Sequence, residues 1–186
     1  SGKHKMWKKK QYRVYDGINV EMDKVGNGGY RQMTDSAVAV SIKILVHLVG
    51  DMHCPSQTFF EGISQNRYFY LDSVKYKFHP FWDSAIFDLA HKWYYADYQY
   101  QLDRCPKEEK EAVASGTLVD WIEENAAIMR SLYDILTPER NFNQAESADL
   151  IRNMSAIAEN QVLKAGYRLA HVLNSVFDPA YPEWKR

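Results

Sequence analysis

Lys43-Ile-Leu-Val-His-Leu-Val-Gly-Asp-Met-His-Cys-Pro-Ser-Gln57 is an apolar run into which two metal-capable side chains, His47 and Asp51, are set. Four residues apart, they lie one turn above another on a single helical face. Leu48, Val49 and Gly50 separate them and Ile44, Leu45 and Val46 precede them, so an ionisable pair enters a low-dielectric interior. Such burial is costly unless a charge or hydrogen bond meets it. The spacing recurs in Tyr76-Lys-Phe-His-Pro-Phe-Trp-Asp-Ser84, where His79 and Asp83 again stand four apart. Two His-x-x-x-Asp pairs suggest two metal half-sites, although such a pair also serves as a purely structural hydrogen bond. Imidazole and carboxylate without an obligatory thiolate suit a hydrolytic zinc site better than a structural one.

Thr34 is a good N-cap, Asp35 favours the first turn and Pro55 marks the end of the helix between them. Ala37, Val38, Val40, Ile42, Ile44, Leu45, Val46, Leu48 and Val49 make it apolar almost all round, which predicts the buried centre of the domain. Five lysines in residues 1 to 10 read as a solvated basic strand or arm. Residues 11 to 30 show short Tyr/Val alternation and then Gly26-Asn-Gly-Gly29, a loop that no Lys-Ser/Thr follows, which excludes a P-loop. Beyond Pro55 a loop runs through Gln65, then Arg67 to Leu71 and Val74 to Phe78 flank Asp72-Ser73 as a short hairpin. Pro80 suits the first position of a helix that carries Asp83, Ile86, Leu89 and Trp93 into Tyr94 to Tyr100. Its tyrosines could stack on bases, but packing against neighbouring helices is the favoured reading. Pro106 and Thr117 open two more helices, residues 139 to 147 form a loop, and a long helix runs from about Ala148 to Phe177 with Ile151, Met154, Ala158, Val162, Ala165, Leu169 and Val172 at helical spacing. The class is all-α, five or six helices with a minor β-hairpin.

At 186 residues the chain suits one domain, spanning 1–186. A net charge of -1 gives no global attraction to nucleic acid or membrane, so an anionic ligand needs a local site. No stretch of 18 or more residues is apolar throughout, so no membrane span is expected. No signal peptide is present, and an opening at Ser-Gly without Met reads as a processed or engineered start. Cys54 and Cys105, the only cysteines, leave one disulfide or two free thiols open.

His47-Leu-Val-Gly-Asp-Met-His-Cys-Pro-Ser-Gln57 resembles His-x-x-Gly-Asp-x-His-Gln-Pro-x-His, and His79-Pro-Phe-Trp-Asp-Ser84 resembles Leu-His-x-x-Trp-Asp-Ser, two motifs of the zinc-dependent single-strand-specific nucleases of the S1/P1 type, grouped with zinc-dependent phospholipase C. Asp120-Trp-Ile-Glu-Glu-Asn125 and Ala165-Gly-Tyr-Arg-Leu-Ala-His-Val-Leu-Asn174 are similar to two further family segments, so the resemblance runs from about Thr34 onward. It implies a helical fold with up to three zinc ions in a cleft. His47 would bind one zinc, Asp51 would bridge it to a second and orient or deprotonate the bridging water, and His79 with Asp83 would hold the remaining ion. Zinc lowers the pKa of bound water to about 7, and neighbouring metals stabilise both oxygens of a phosphodiester displacement. His53 takes an outer role at most; His91 and His171 read as surface or packing residues.

The chain departs from the pattern at Gln57, where the family places a histidine on the zinc of the His79/Asp83 pair. An amide oxygen is the poorer ligand, and the Cys54 thiolate is the alternative donor. The family also takes ligands from an N-terminal Trp, a nearby His and an upstream Asp. That segment is not recognisable here, His4 being the one candidate for its histidine, so at least one metal site is expected to be incomplete. The resemblance implies a secreted or periplasmic phosphodiester hydrolase of the endonuclease/3'-nucleotidase kind acting on single-stranded nucleic acid or nucleotides. A phospholipase C-like hydrolase of phospholipid and a degenerate, non-catalytic binding module of the same fold are the alternatives.

Overall fold

The computed structural model describes residues 2–58, 60 and 66–182, with side chains from Val14 onward. The basic N-terminal stretch is helical rather than extended. Helix α1 runs Gly2–Val25, because lysine is a good helix former and no proline interrupts it. His4 lies outside the described side chains. Ile18, Met22 and Val25 of α1 are buried one turn apart against α2, Asp35–His53. At their crossing Gly17 leaves room for Leu48, whose Cδ1 would stand 2.8 Å from an added Cβ. Thr34 caps α2 as expected, its hydroxyl accepting from the Ala37 amide at 3.3 Å.

The expectation of an all-round buried α2 is corrected. Only Ser41, Leu45, Val49, Met52 and His53 are buried, while Val40 and Val46 on the far face are about half exposed. By length and composition α2 is apolar enough to cross a membrane, because a few polar residues dilute but do not cancel its aliphatic content; a packed core helix has the same character, and α2 is not a clear membrane span.

After a 3₁₀ turn at Pro55–Gln57, strands β1 (Tyr68–Leu71) and β2 (Val74–Lys77) form the expected antiparallel hairpin, Leu71 opposite Val74. Asp72 and Ser73 both have positive φ, 46° and 68°, as a tight primed turn requires. A short strand β3, Asn141–Phe142, adds in parallel to β1 inside the stretch expected to be loop. Pro80 closes rather than opens the next helical turn, α3 (Phe78–Pro80), which passes into a π-wound segment, Phe81–Ala85, and then α4, Ile86–Ala90. The expected continuous helix to Tyr100 breaks here. His91 to Tyr94 are not helical and α5, Tyr95–Leu102, restarts with the Asp97 carboxylate accepting from the Tyr94 amide at 2.8 Å. The packing reading of the tyrosines fails for Tyr94, Tyr95 and Tyr100, all largely exposed. Tyr98 alone packs, edge-on to Phe87 and Trp93.

Helix α6 spans Lys107–Ala114. Thr117 and Asp120 form a reciprocal capping box for α7, Leu118–Ile135, and Asn143 with Glu146 another for α8, Gln144–Phe177, four residues earlier than expected. Helices α7 and α8 run through two apolar clusters. One holds Phe69, Phe78, Phe81, Trp82, Met129, Leu132 and Met154 under the sheet. The other holds Ile18, Leu45, Val49, Leu118, Trp121 and Val172 around α1 and α2. The C-terminal end of α2 lies where they meet.

Candidate functional site

Helical spacing joins each His-x-x-x-Asp pair. His47 Nε2 stands 3.4 Å from Asp51 Oδ2, with the two side chains 73% and 31% exposed. His79 Nε2 stands 3.0 Å from Asp83 Oδ2, at 38% and 41%. The pairs are therefore not sealed in the interior, as the apolar context of the first implied. The half-exposed outer face of α2 carries His47 to the surface. The second pair is set on the π-wound turn between the buried Phe78, Phe81 and Trp82; such turns recur at functional sites because the extra residue re-aims a side chain. Asp83 Oδ1 also accepts from Ser56 at 3.4 Å and from the Cys54 thiol at 3.5 Å.

His47, Asp51, Cys54, Gln57 and Asp83 line one cavity of about 680 Å³. Phe87, Ala158, Val162 and Ala165 supply its apolar wall and Gln161 a polar one. Cys54 and Cys105 are free thiols. Burial, with the Asp83 charge acting in the same sense, pushes the Cys54 thiol up to about 11 despite its hydrogen bond to Ser56, so it stays protonated at neutral pH.

Behind the cavity, the end of α2 is pinned by a polar network. His53 is buried; its Nδ1 donates to the Val49 carbonyl at 2.7 Å and its Nε2 accepts from Arg168 Nη1 at 3.0 Å, which defines the tautomer. Burial drives its pKa down to about 4, with Arg168 in the same sense, so the ring is neutral. Both nitrogens are occupied by protein, and the His53 carbonyl accepts from Gln161, which also lines the cavity. Gln161 Nε2 donates to the His53 carbonyl and to Asn125 Oδ1, each at 3.1 Å, and Asn125 Nδ2 donates to the Cys54 carbonyl at 3.0 Å. Carbonyls only accept, so both amide orientations follow from the network. Arg168 Nη2 donates to Glu124 Oε2 at 2.5 Å, and Lys164 pairs with the other Glu124 oxygen. Burial raises the Glu124 pKa, but the bonds from Lys164 and Arg168 outweigh it and hold the carboxyl below its ordinary range.

The donor set suits zinc in kind and in spacing. Two ligands about 2.1 Å from one ion at a tetrahedral angle stand about 3.4 Å apart; the His47–Asp51 pair has that spacing and the His79–Asp83 pair, at 3.0 Å, is a little tighter. The fit goes two ligands at a time. Among the described residues no group of three His, Cys, Asp or Glu side chains converges on a point, and Gln57 brings only an amide.

The profile of the S1/P1 Nuclease family matches residues 2–178. The chain belongs to the S1/P1 nuclease family. Membership makes it a hydrolase of nuclease type, of a lineage that is generally zinc-dependent, typically secreted and directed at nucleic acid. No curated protein matches the chain. Within the family fold, the segments whose roles the sequence left open are those of the network: Glu124 and Asn125 on α7, Arg168 on α8. The signal for them was present. Asn125 interrupts the apolar face Leu118, Trp121, Ile122, Ala126, Met129, and Gln161 and Arg168 interrupt Met154, Ala158, Val172. A buried polar residue on such a face calls for a partner. His91 pairs with Glu159 at 2.8 Å and stacks on Trp93, and His171 hydrogen-bonds the Tyr181 hydroxyl at 2.7 Å.

Proposed function

We propose that this chain is a zinc-dependent phosphodiesterase acting on single-stranded nucleic acid or nucleotides, with His47 and Asp51 forming one metal half-site and His79 and Asp83 the other. The observation that carries the reading is that Asp51 and Asp83, from elements distant in sequence, line the same cavity together with His47. Zinc, when bound, supplies Lewis acidity toward phosphoryl oxygens and makes water a better acid. Asp51 Oδ1 has no partner among the described residues, so this carboxylate can accept a proton from a water in the cavity while Oδ2 stays beside His47. Asp83 is oriented by Ser56 and Cys54, which leaves Oδ2 toward His79. The cavity volume suits a nucleotide, and the Phe87 ring on its wall offers an apolar surface to a base.

The second reading, a non-catalytic module that keeps the fold, draws on Gln57 and on the lack of a three-donor group among the described residues. Elemental analysis of the non-chelated protein, beside His47→Ala and His79→Ala, separates the two. Zinc lost in steps, with hydrolysis of single-stranded DNA lost alongside, is the expected result. Zinc-free protein inert toward phosphodiesters establishes the module instead. Cleavage of phosphatidylcholine but not of DNA would hand the cavity to a lipid substrate.

A further inference from the structure

Away from the cavity, the guanidinium of Arg67 lies 4.5 Å over the ring of Tyr133. Its Nε and Nη1 are buried and have no hydrogen-bond partner among the described residues, and the buried Tyr133 hydroxyl has none among them either. Neither Arg67 nor Arg130 forms an ion pair among the described residues. Arg130 stands three residues before Tyr133 on the same face of α7, its guanidinium 5.3 Å from the centroid of Phe60, and Phe60 meets the Tyr133 ring edge-on at 5.7 Å. Two cations thus flank one aromatic pair with no anion paired to either among the described residues. Stacking on Tyr133 holds Arg67 rigid, and a half-buried guanidinium without a counter-charge is costly to keep. Its remaining nitrogen, Nη2, is not enclosed and has no hydrogen bond among the described residues. Such a set is preorganised for an oxyanion.

We propose that Arg67, with the Tyr133 hydroxyl and Arg130 beside it, forms a phosphate-binding subsite. Two guanidiniums and a phenol offer more charge and more donors than a single carboxylate uses, which favours phosphate. The subsite adjoins the second half-site through Phe78. The Phe78 amide donates to the Arg67 carbonyl at 2.9 Å, its ring stacks on Tyr133 at 5.7 Å, and His79 follows it in the chain. Resting on the phosphodiesterase reading, the natural occupant is a phosphate of the substrate strand other than the one cleaved; free orthophosphate shares its chemistry.

The test is calorimetric titration of the full chain, as purified and after chelation, with inorganic phosphate and with a dinucleotide with or without a 5'-phosphate. Arg67→Met should weaken phosphate binding about tenfold or more and Tyr133→Phe about threefold, before and after chelation. An Arg67-dependent gain from the 5'-phosphate assigns the subsite to the strand, and binding of inorganic phosphate alone assigns it to the free ion. Equal affinity in the unmutated protein and Arg67→Met, or no binding of either probe, overturns the proposal. If Arg67→Met fails to fold, unchanged binding in both Tyr133→Phe and Arg130→Gln overturns it equally. These readouts need no turnover, so a failure of catalysis and a failure of this subsite are told apart.

Discussion

The two His-x-x-x-Asp pairs have the same spacing and nearly the same nitrogen–oxygen separation, 3.4 and 3.0 Å, yet the protein holds them differently. The first lies on a regular helix, with His47 largely in solvent and its position set from behind through the His53 and Cys54 carbonyls. The second lies on a π-wound turn wedged between buried aromatic rings, with Asp83 held directly by Ser56 and Cys54. Periodicity is enough to bring a histidine and an aspartate together. How firmly they stay there depends on what packs around them, so the same motif makes an exposed pair in one place and a supported one in another.

The largest change should come from breaking the network behind the first pair. Arg168→Met leaves Glu124 short of a partner and His53 without its donor, and should lower the unfolding free energy in urea by about 3–5 kcal/mol; a loss under about 1 kcal/mol would remove the network as the support of Asp51. Acid should act on the same network. His53 is neutral when folded, with a pKa near 4, and protonates readily when unfolded, so the unfolded chain binds more protons between about pH 6.5 and 4. Stability is full above that window and falls by about 3 kcal/mol as pH drops through it. Glu124, whose folded pKa is depressed, adds a loss in the same direction at still lower pH. Glu124→Gln should flatten that acid limb in pH-dependent denaturation, and an unchanged slope would count against it.

Zinc affinity should differ between the two pairs. The better-held second pair should retain metal at about tenfold lower free zinc than the first, read by competition with a chromophoric chelator in His47→Ala and His79→Ala. The reverse order would mean that solvent access, not support, sets affinity. The smallest effect belongs to Ser56→Ala, which removes one hydrogen bond to Asp83 and should cost about 0.5–1.5 kcal/mol at the second half-site alone. An equal loss at the first would show that the two are coupled through the cavity.

Several elements were legible because their causes are local. Thr34 and Thr117 cap the helices expected of them, and the hairpin turns at Asp72-Ser73. The errors share a different cause. Lysines that look like a free arm also make good helix, and the aliphatic content of α2 gives no hint of which side a neighbour covers. The tyrosines of 94 to 100 read as helix-packing residues, while the break at His91 turns three of them to solvent. Strand β3 is two residues long and exists only because β1 lies alongside it.

From the sequence alone came the all-helical class, the two four-residue pairs, the family and the departure at Gln57, because caps, periodicity and motif spacing are properties of neighbouring residues. Only the tertiary structure decided that Asp51 and Asp83 share one cavity, that His53 turns its ring to Arg168, and that Arg67 stacks on Tyr133 without a counter-ion among the described residues. Those relations join residues tens of positions apart. They are settled by how α7 and α8 thread between two apolar clusters, which no local pattern encodes.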